Sequence, residues 1–337
     1  DSLTITGGSA DFGAGVHNSG ALTVVNSTLF GNWTTSSGGA IYNSYGSLWV
    51  TNAVFSGNWA GSSGGGIYSH RGTLTVTNSS FAANTGGSAG AISSLGTLTL
   101  ANSILWANSG LEVDSSEDFS TAAAGNLLGV PPGFARDPSD GGDGWRDDSS
   151  TAEVDESANN DYGDLHLTGQ SPAIGYGDQS LLPLDVQDLD HDGVTQEPIP
   201  FDRDGNVRMF GASLDCGAFE FQGEIPAGRE APSVVVTTAS DTLDLFDGQA
   251  SLREAIYYAA TGGLGTTVTF DAALDGATIT LNGAALWLDK PLTIDASALN
   301  SLIVDGDEKS RVFRVTASDV VLDSLTIARG HADSGGG

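Results

Sequence analysis

Apolar and polar positions alternate in short bursts along the first 110 residues, and the bursts recur. Residues 46–68 read "GSLWVTNAVFSGNWAGSSGGGIY"; residues 20–42 read "GALTVVNSTLFGNWTTSSGGAIY". Leu22, Leu48, Leu74 and Leu98 keep this step, as do Asn26, Asn52, Asn78 and Asn102, and Asn32, Asn58, Asn84 and Asn108. Ile41, Ile67 and Ile92 follow Gly-rich runs, one period after Val16. Each period holds three runs with strand alternation, "SLWVTN", "AVFSGN" and "GGGIYS", and none with helical spacing over ten residues. Three strands in about 25 residues make one coil of a right-handed parallel β-helix, whereas a propeller blade needs about 40–50.

The repeated residues then have structural tasks. Leu, Ile, Val and Phe point inward and stack on their copies about 4.8 Å above and below. Asn side chains at turns stack into amide ladders, and Gly takes the positive φ of tight corners. Trp33 and Trp59, one period apart, form an aromatic column, read as turn packing ahead of a sugar platform.

The pattern returns, less regular, in "TVTF", "TITL", "LWL", "LTIDA", "LIVDG", "VFRV" and "VVLDSLTI" of residues 264–337. Before it, "SLREAIYYAA" offers a capping box, Ser251 and Glu254, opening a helix with Leu252, Ala255, Ile256 and Ala259 on one face. Such a helix covers the open end of a solenoid. Residues 1–15, "DSLTITGGSADFGAG", and 323–337, "DSLTIARGHADSGGG", agree at ten of fifteen positions at an offset of 322. The expectation is a window on a longer chain that reiterates this module and carries the end of one β-helix and the start of the next.

Charge divides the chain in three. Residues 1–110 carry only Asp1, Asp11 and Arg71; residues 111–230 carry 26 acids against 5 bases; residues 231–337 carry 14 against 6, for a total of −30. The expected organisation is coils over 1–110, an acidic loop-rich junction over 111–230, and a capping helix with first coils over 231–337. This charge argues against nucleic acid and anionic membranes as partners. No apolar run is long enough to span a bilayer. The lone Cys216 precludes an intrachain disulfide and reads as buried packing.

The sharpest polar motif is "DLDHDG". Asp188, Asp190 and Asp192 alternate ahead of Gly193, a spacing that curls carboxylates around calcium as in EF-hand loops. Val194 would offer its carbonyl; Glu197 lies close, and Asp202, Asp204 and Asn206 follow. Calcium is the expected cofactor. "DPSDGGDGWRDD", residues 137–148, reads as a solvated acidic loop. Acid–base catalysis is unsupported: the coils have two acids, one Arg and two His, and no acid is placed to pair with His70 and Arg71.

"SLREAI" with "LTIDA", "LIVDG" and "LDSLTIARG" resembles the CSLREAI-type opening of large bacterial surface β-helix proteins, with Ala250 where that motif has Cys. "GDLHLTGQSPAIGYGD", "DLDHDGVTQEPIPFDRDGNVR" and "DCGAFEF" resemble the choice-of-anchor Q region that closes such β-helices, a pectin-lyase-like fold. The resemblance implies a bacterial cell surface or extracellular location. The expected function is a non-catalytic, calcium-stabilised tandem module of an extracellular fibre or adhesin. Its partners would be adjacent copies of itself, with polysaccharide as a candidate ligand. The alternatives are a pectate-lyase-type polysaccharide lyase or hydrolase, and a carbohydrate-binding adhesin.

Overall fold

The computed structural model describes residues 1–115, 125–142, 144–145, 159–211, 213–261 and 264–331. They form a right-handed parallel β-solenoid with about 26 residues per turn. Two compact units divide the chain, residues 1–223 and 224–337.

In the first unit the first four coils each contribute one strand to each of three parallel sheets, and later coils extend sheets one and two. Sheet one holds Thr4–Thr6, Thr28–Phe30, Val54–Ser56, Ser80–Ala82, Ile104–Trp106 and Leu127–Leu128. Sheet two holds Val16–Asn18, Ile41–Ser44, Ile67–His70, Ala89–Ser94 and Leu111–Ser115. Sheet three holds Ala21–Val25, Ser47–Thr51, Thr73–Thr77 and Thr97–Ala101. A fourth, narrow sheet of Ser9–Ala10, Trp33–Thr34 and Trp59–Ala60 fills the corner between sheets one and two. Trp33 and Trp59 are in register there, both half-buried.

The core is a set of columns. Leu48, Leu74 and Leu98 pair in register and are buried; Leu22, beside Leu48 in the first coil, is half-buried. Phe55 and Phe81 lie parallel, 4.4 Å apart. Ile41, Ile67 and Ile92 stack in sheet two, all fully buried. Leu48, Phe55 and Ile67 thus point inward from three different sheets, as the common period of their copies requires.

Side-chain amides connect the coils. Asn32 donates to Asn58, Asn58 to Asn84 and Asn84 to Asn108, at 2.8–3.0 Å. The amide nitrogens of Asn58, Asn84 and Asn108 also reach the carbonyls of Leu29, Phe55 and Phe81. This ladder satisfies polar groups that a buried corner would otherwise strand. The other Asn series differs. Asn26, Asn52, Asn78 and Asn102 sit at φ between 47° and 51°, where Asn is tolerated better than most residues. They form the corner from sheet three to sheet one, and one amide link, Asn52 to Asn26, joins them.

The second unit has parallel pairings of the same kind, including Thr267–Phe270 with Thr293–Asp295 and then Val321–Asp323, and Thr278–Thr280 with Ile303–Asp305 and then Thr326–Ala328. Helix α1, Leu252–Thr261, opens with the expected capping box: Ser251 Oγ accepts from Glu254 N, and Glu254 Oε2 from Ser251 N. Leu252, Ala255 and Ile256 join one cluster with Val268, Phe270, Ile279 and Ile294, and Ala259 packs against it. Arg253 makes a two-pronged ion pair with Asp241 at 2.8 and 2.9 Å.

Candidate functional site

Residues 125–223 belong to the same compact unit as the coils, and after strand Leu127–Leu128 described parts of this segment pack on the outer face of sheet one. "SPAIG" and "DCGAFEF" meet: Cys216 N donates to Ala173 O, and Gly175 N to Asp215 Oδ1. Cys216 is fully buried, and burial pushes its thiol up. Ala218 N donates to Ser80 Oγ, and Ser56 Oγ to Tyr162 O. Strand Val54–Ser56 is buried throughout, because it has the core on one side and this covering layer on the other.

The positive-φ Asn corners are the docking points. Asn52 Nδ2 donates to Phe201 O; Asn102 exchanges two hydrogen bonds with the Asp178 backbone. Asn78, its amide oxygen turned toward the guanidinium, accepts from Arg208 at 2.7 and 3.3 Å. Arg208 is fully buried and also donates to the carbonyls of Gly217 and Ala218. Burial lowers its pKa, opposed by the charges of Glu220, Asp202 and Asp215. Burial, then Asp215, pushes the Glu220 carboxyl up to about 8 against the pull of Arg208.

The sequence offered eight candidate calcium ligands; the structure divides them into groups. One carboxylate oxygen each from Asp188, Asp190 and Asp192 lies within 4.8 Å of the others. Asp188 Oδ1 accepts from Gly193 N, Asp190 Oδ1 from Asp192 N, and Asp192 Oδ1 from Val194 N. A second group brings together Asp185, Asp190 and Glu197, again within 4.8 Å. Asp202, Asp204 and Asn206 join neither group and have other tasks. Asp202 is buried and accepts from the backbone amides of Asp204, Asn206 and Glu220 and from Asn206 Nδ2. Asp204 bonds His166 Nε2 at 2.9 Å. His166 Nδ1 meets Asp164, and its ring stacks on Phe219. Burial alone would lower the His166 pKa, but its bonds to Asp164 and Asp204 raise it overall.

Asp185 was missed from sequence because it stands outside the alternating triplet, in "LPLDVQ". The signal available was a carboxylate between two apolar neighbours. Residues 143 and 146–148 of the acidic stretch 137–148 lie outside the described residues.

The outer face of sheet two differs in chemistry. Tyr42 and Tyr68 stack at 5.3 Å, with Phe12 and His17 edge-on to Tyr42 at 5.0 and 5.2 Å. His70 lies 5.2 Å from Tyr45, and Arg71 occupies the corner beyond at φ 52°. No carboxylate occurs in sequence between Asp11 and Glu112, but the Tyr42–Tyr68 column continues in register through Ser93 to Asp114.

Two stretches, residues 26–44 and 52–70, match the Chlamydia polymorphic membrane protein (Chlamydia_PMP) repeat. Each starts at or on a positive-φ Asn corner, crosses sheet one and the Trp corner, and ends in sheet two. No curated protein and no solved structure matches the chain. The repeat match and the parallel β-solenoid together support a bacterial surface β-helix protein. Among the described residues no helix is long and apolar enough to cross a membrane.

Proposed function

We propose that this chain is a non-catalytic module of a bacterial surface adhesin, a stiff β-helix that displays an aromatic face. The observation that carries the reading is the stack of Tyr42 on Tyr68, flanked by Phe12 and His17, on the outer face of sheet two. Flat rings with a polar tip suit contact with sugar rings and protein surfaces. General acid–base chemistry on a polysaccharide needs a pair of carboxylates or a carboxylate–base pair beside the ligand; the column of Tyr42 and Tyr68 continues in register through Ser93 to the single carboxylate of Asp114.

Adjacent copies of the module are the second partner class. Two segments similar in sequence share conformation: Thr4–Thr6 and Thr326–Ala328 are both strands, Ser2 and Ser324 have φ of 53° and 60°, and Gly7 and Arg329 have φ of 66° and 44°. Equivalent coils at an offset of 322 support a reiterated module in a fibre. The segments "SPAI" and "GAFE", which resemble choice-of-anchor Q landmarks, meet in the cover layer, where Ala218 N donates to Ser80 Oγ of the coils.

The test is to incubate the chain with neutral and acidic polysaccharides and score both retention and new chain ends. Retention that weakens in Tyr42→Ala/Tyr68→Ala, with no release of sugar ends, is expected. Unsaturated or reducing ends appearing with time would transfer the case to a lyase or hydrolase.

A further inference from the structure

We propose that Asp185, Asp190 and Glu197 bind one calcium ion and that this ion fastens the loop 185–199 beneath the segment docked on the coils. The alternating Asp triplet is not the centre of this site. Asp185 is 1% exposed, and its Oδ2 accepts from Leu189 N while its Oδ1 has no partner. Glu197 Oε1 is likewise buried and without a partner. One carboxylate oxygen of each lies within 4.8 Å of the other and of an Asp190 oxygen. Ligands about 2.3–2.6 Å from one calcium ion stand at such separations.

Buried carboxylate oxygens without donors are unfavourable unless protonated or paired with a cation. Among the described residues no Lys, Arg or His forms an ion pair with Asp185, Asp190 or Glu197. The ligands are all oxygen and the loop is irregular, which favours calcium over magnesium, since magnesium demands near-ideal octahedral geometry. Asp188 and Asp192 add negative potential, and one oxygen of each accepts from Gly193 N and Val194 N.

The chain around the site shows what the ion would do. Asp185 N donates to Glu197 O, and Ile199 N to Pro183 O, so two antiparallel stretches meet at the ligands. The second stretch continues to Phe201, whose carbonyl is bound by Asn52. Joining Asp185 to Glu197 through one ion therefore fixes the segment that clamps the coil corner.

The experiment uses the full chain, stripped with chelator, and titrates calcium chloride or magnesium chloride while following melting temperature and heat. Wild type should show saturable binding of about one calcium and a rise in melting temperature. Asp185→Asn and Glu197→Gln should each lose about tenfold or more in affinity, since ligand charge sets calcium affinity. In chelator, Asp185→Asn should melt no lower than wild type, because it relieves a buried unpaired charge. Asp190→Asn, at a half-buried position, provides a second ligand variant should Asp185→Asn fail to fold. No saturable heat with wild type, or a full calcium response in Asp190→Asn and Glu197→Gln, would overturn the site. Neither result touches the adhesin reading, which is scored by retention on polysaccharide.

Discussion

Arg208 and His166 show how single residues hold the cover layer to the coils. Arg208 is fully buried, bound to Asn78 and to the carbonyls of Gly217 and Ala218, and faces three buried acids. Arg208→Met should cost about 3–5 kcal/mol, the range for removing one member of a buried charged network, measured by denaturant unfolding. His166 acts through charge. Its folded pKa lies above its ordinary 6.5, so its stabilisation is complete below the unfolded value and disappears as pH rises through the folded one. The stability difference between wild type and His166→Gln should therefore shrink from pH 6 upward; a constant difference would show that the ring acts by packing alone. Glycines in one corner column make a third case. Gly57 has φ of 58°, and a Cβ there would lie 2.6 Å from Trp145 and 2.8 Å from Tyr162; one coil on, Ala83 occupies the same corner at φ 54°. Glycine persists where the covering rings press on the corner. Gly57→Ala should destabilise by about 1–3 kcal/mol, and Ala83→Gly should be neutral or stabilise by up to about 1 kcal/mol by relieving the left-handed strain.

At the scale of elements, each coil is held by apolar columns and by one amide ladder. Leu74 lies between Leu48 and Leu98 and is 1% exposed. Leu74→Asp places an unpaired carboxylate in that column and should cost about 4 kcal/mol or more, with loss of a cooperative melt in the first unit. Asn58→Leu should be nearly as damaging despite adding apolar surface, because it strands the Leu29 carbonyl and breaks the ladder to Asn32 and Asn84. Helix α1 relies on a different device, and Glu254 serves both the capping box and the Asp244 amide. Much of this was legible in the sequence: the strand periods, the inward columns, the Asn32 series as a ladder and the S-x-x-E helix start all depend on neighbours one coil away or closer. The Asn26 series, expected like the Asn32 series to form an amide ladder, keeps one such link and serves instead as a docking row, since its partners Asp178, Phe201 and Arg208 share no period with it.

For the whole molecule, charge is the dominant feature. The chain carries −30, with the acids concentrated in residues 111–230. Self-repulsion of that density opposes compaction and is screened by salt. In the presence of chelator, raising sodium chloride from low to physiological concentration should raise the melting temperature; a flat response would mean that the acids are already neutralised by local pairing. The coils of residues 1–110, almost free of charge, should contribute little to this dependence.

The sequence by itself determined the parallel β-helix, its period, its core columns and its capped helix. Stacked coils meet only their nearest copies, so each contact is written several times at a fixed spacing and the pattern survives any one substitution. Tertiary structure alone decided the fate of the acidic segment. Its contacts with the coils span separations such as 76, 149 and 175 residues and occur once each, so no periodicity announces them. That is why Asp202 and Asp204, which look from spacing like cation ligands, instead accept backbone amides and bind His166. It is also why Asp185, outside the alternating triplet, is brought by an antiparallel bridge to within reach of Asp190 and Glu197. A carboxylate's role depends on which donors remain near it after burial, and only the folded chain sets that supply.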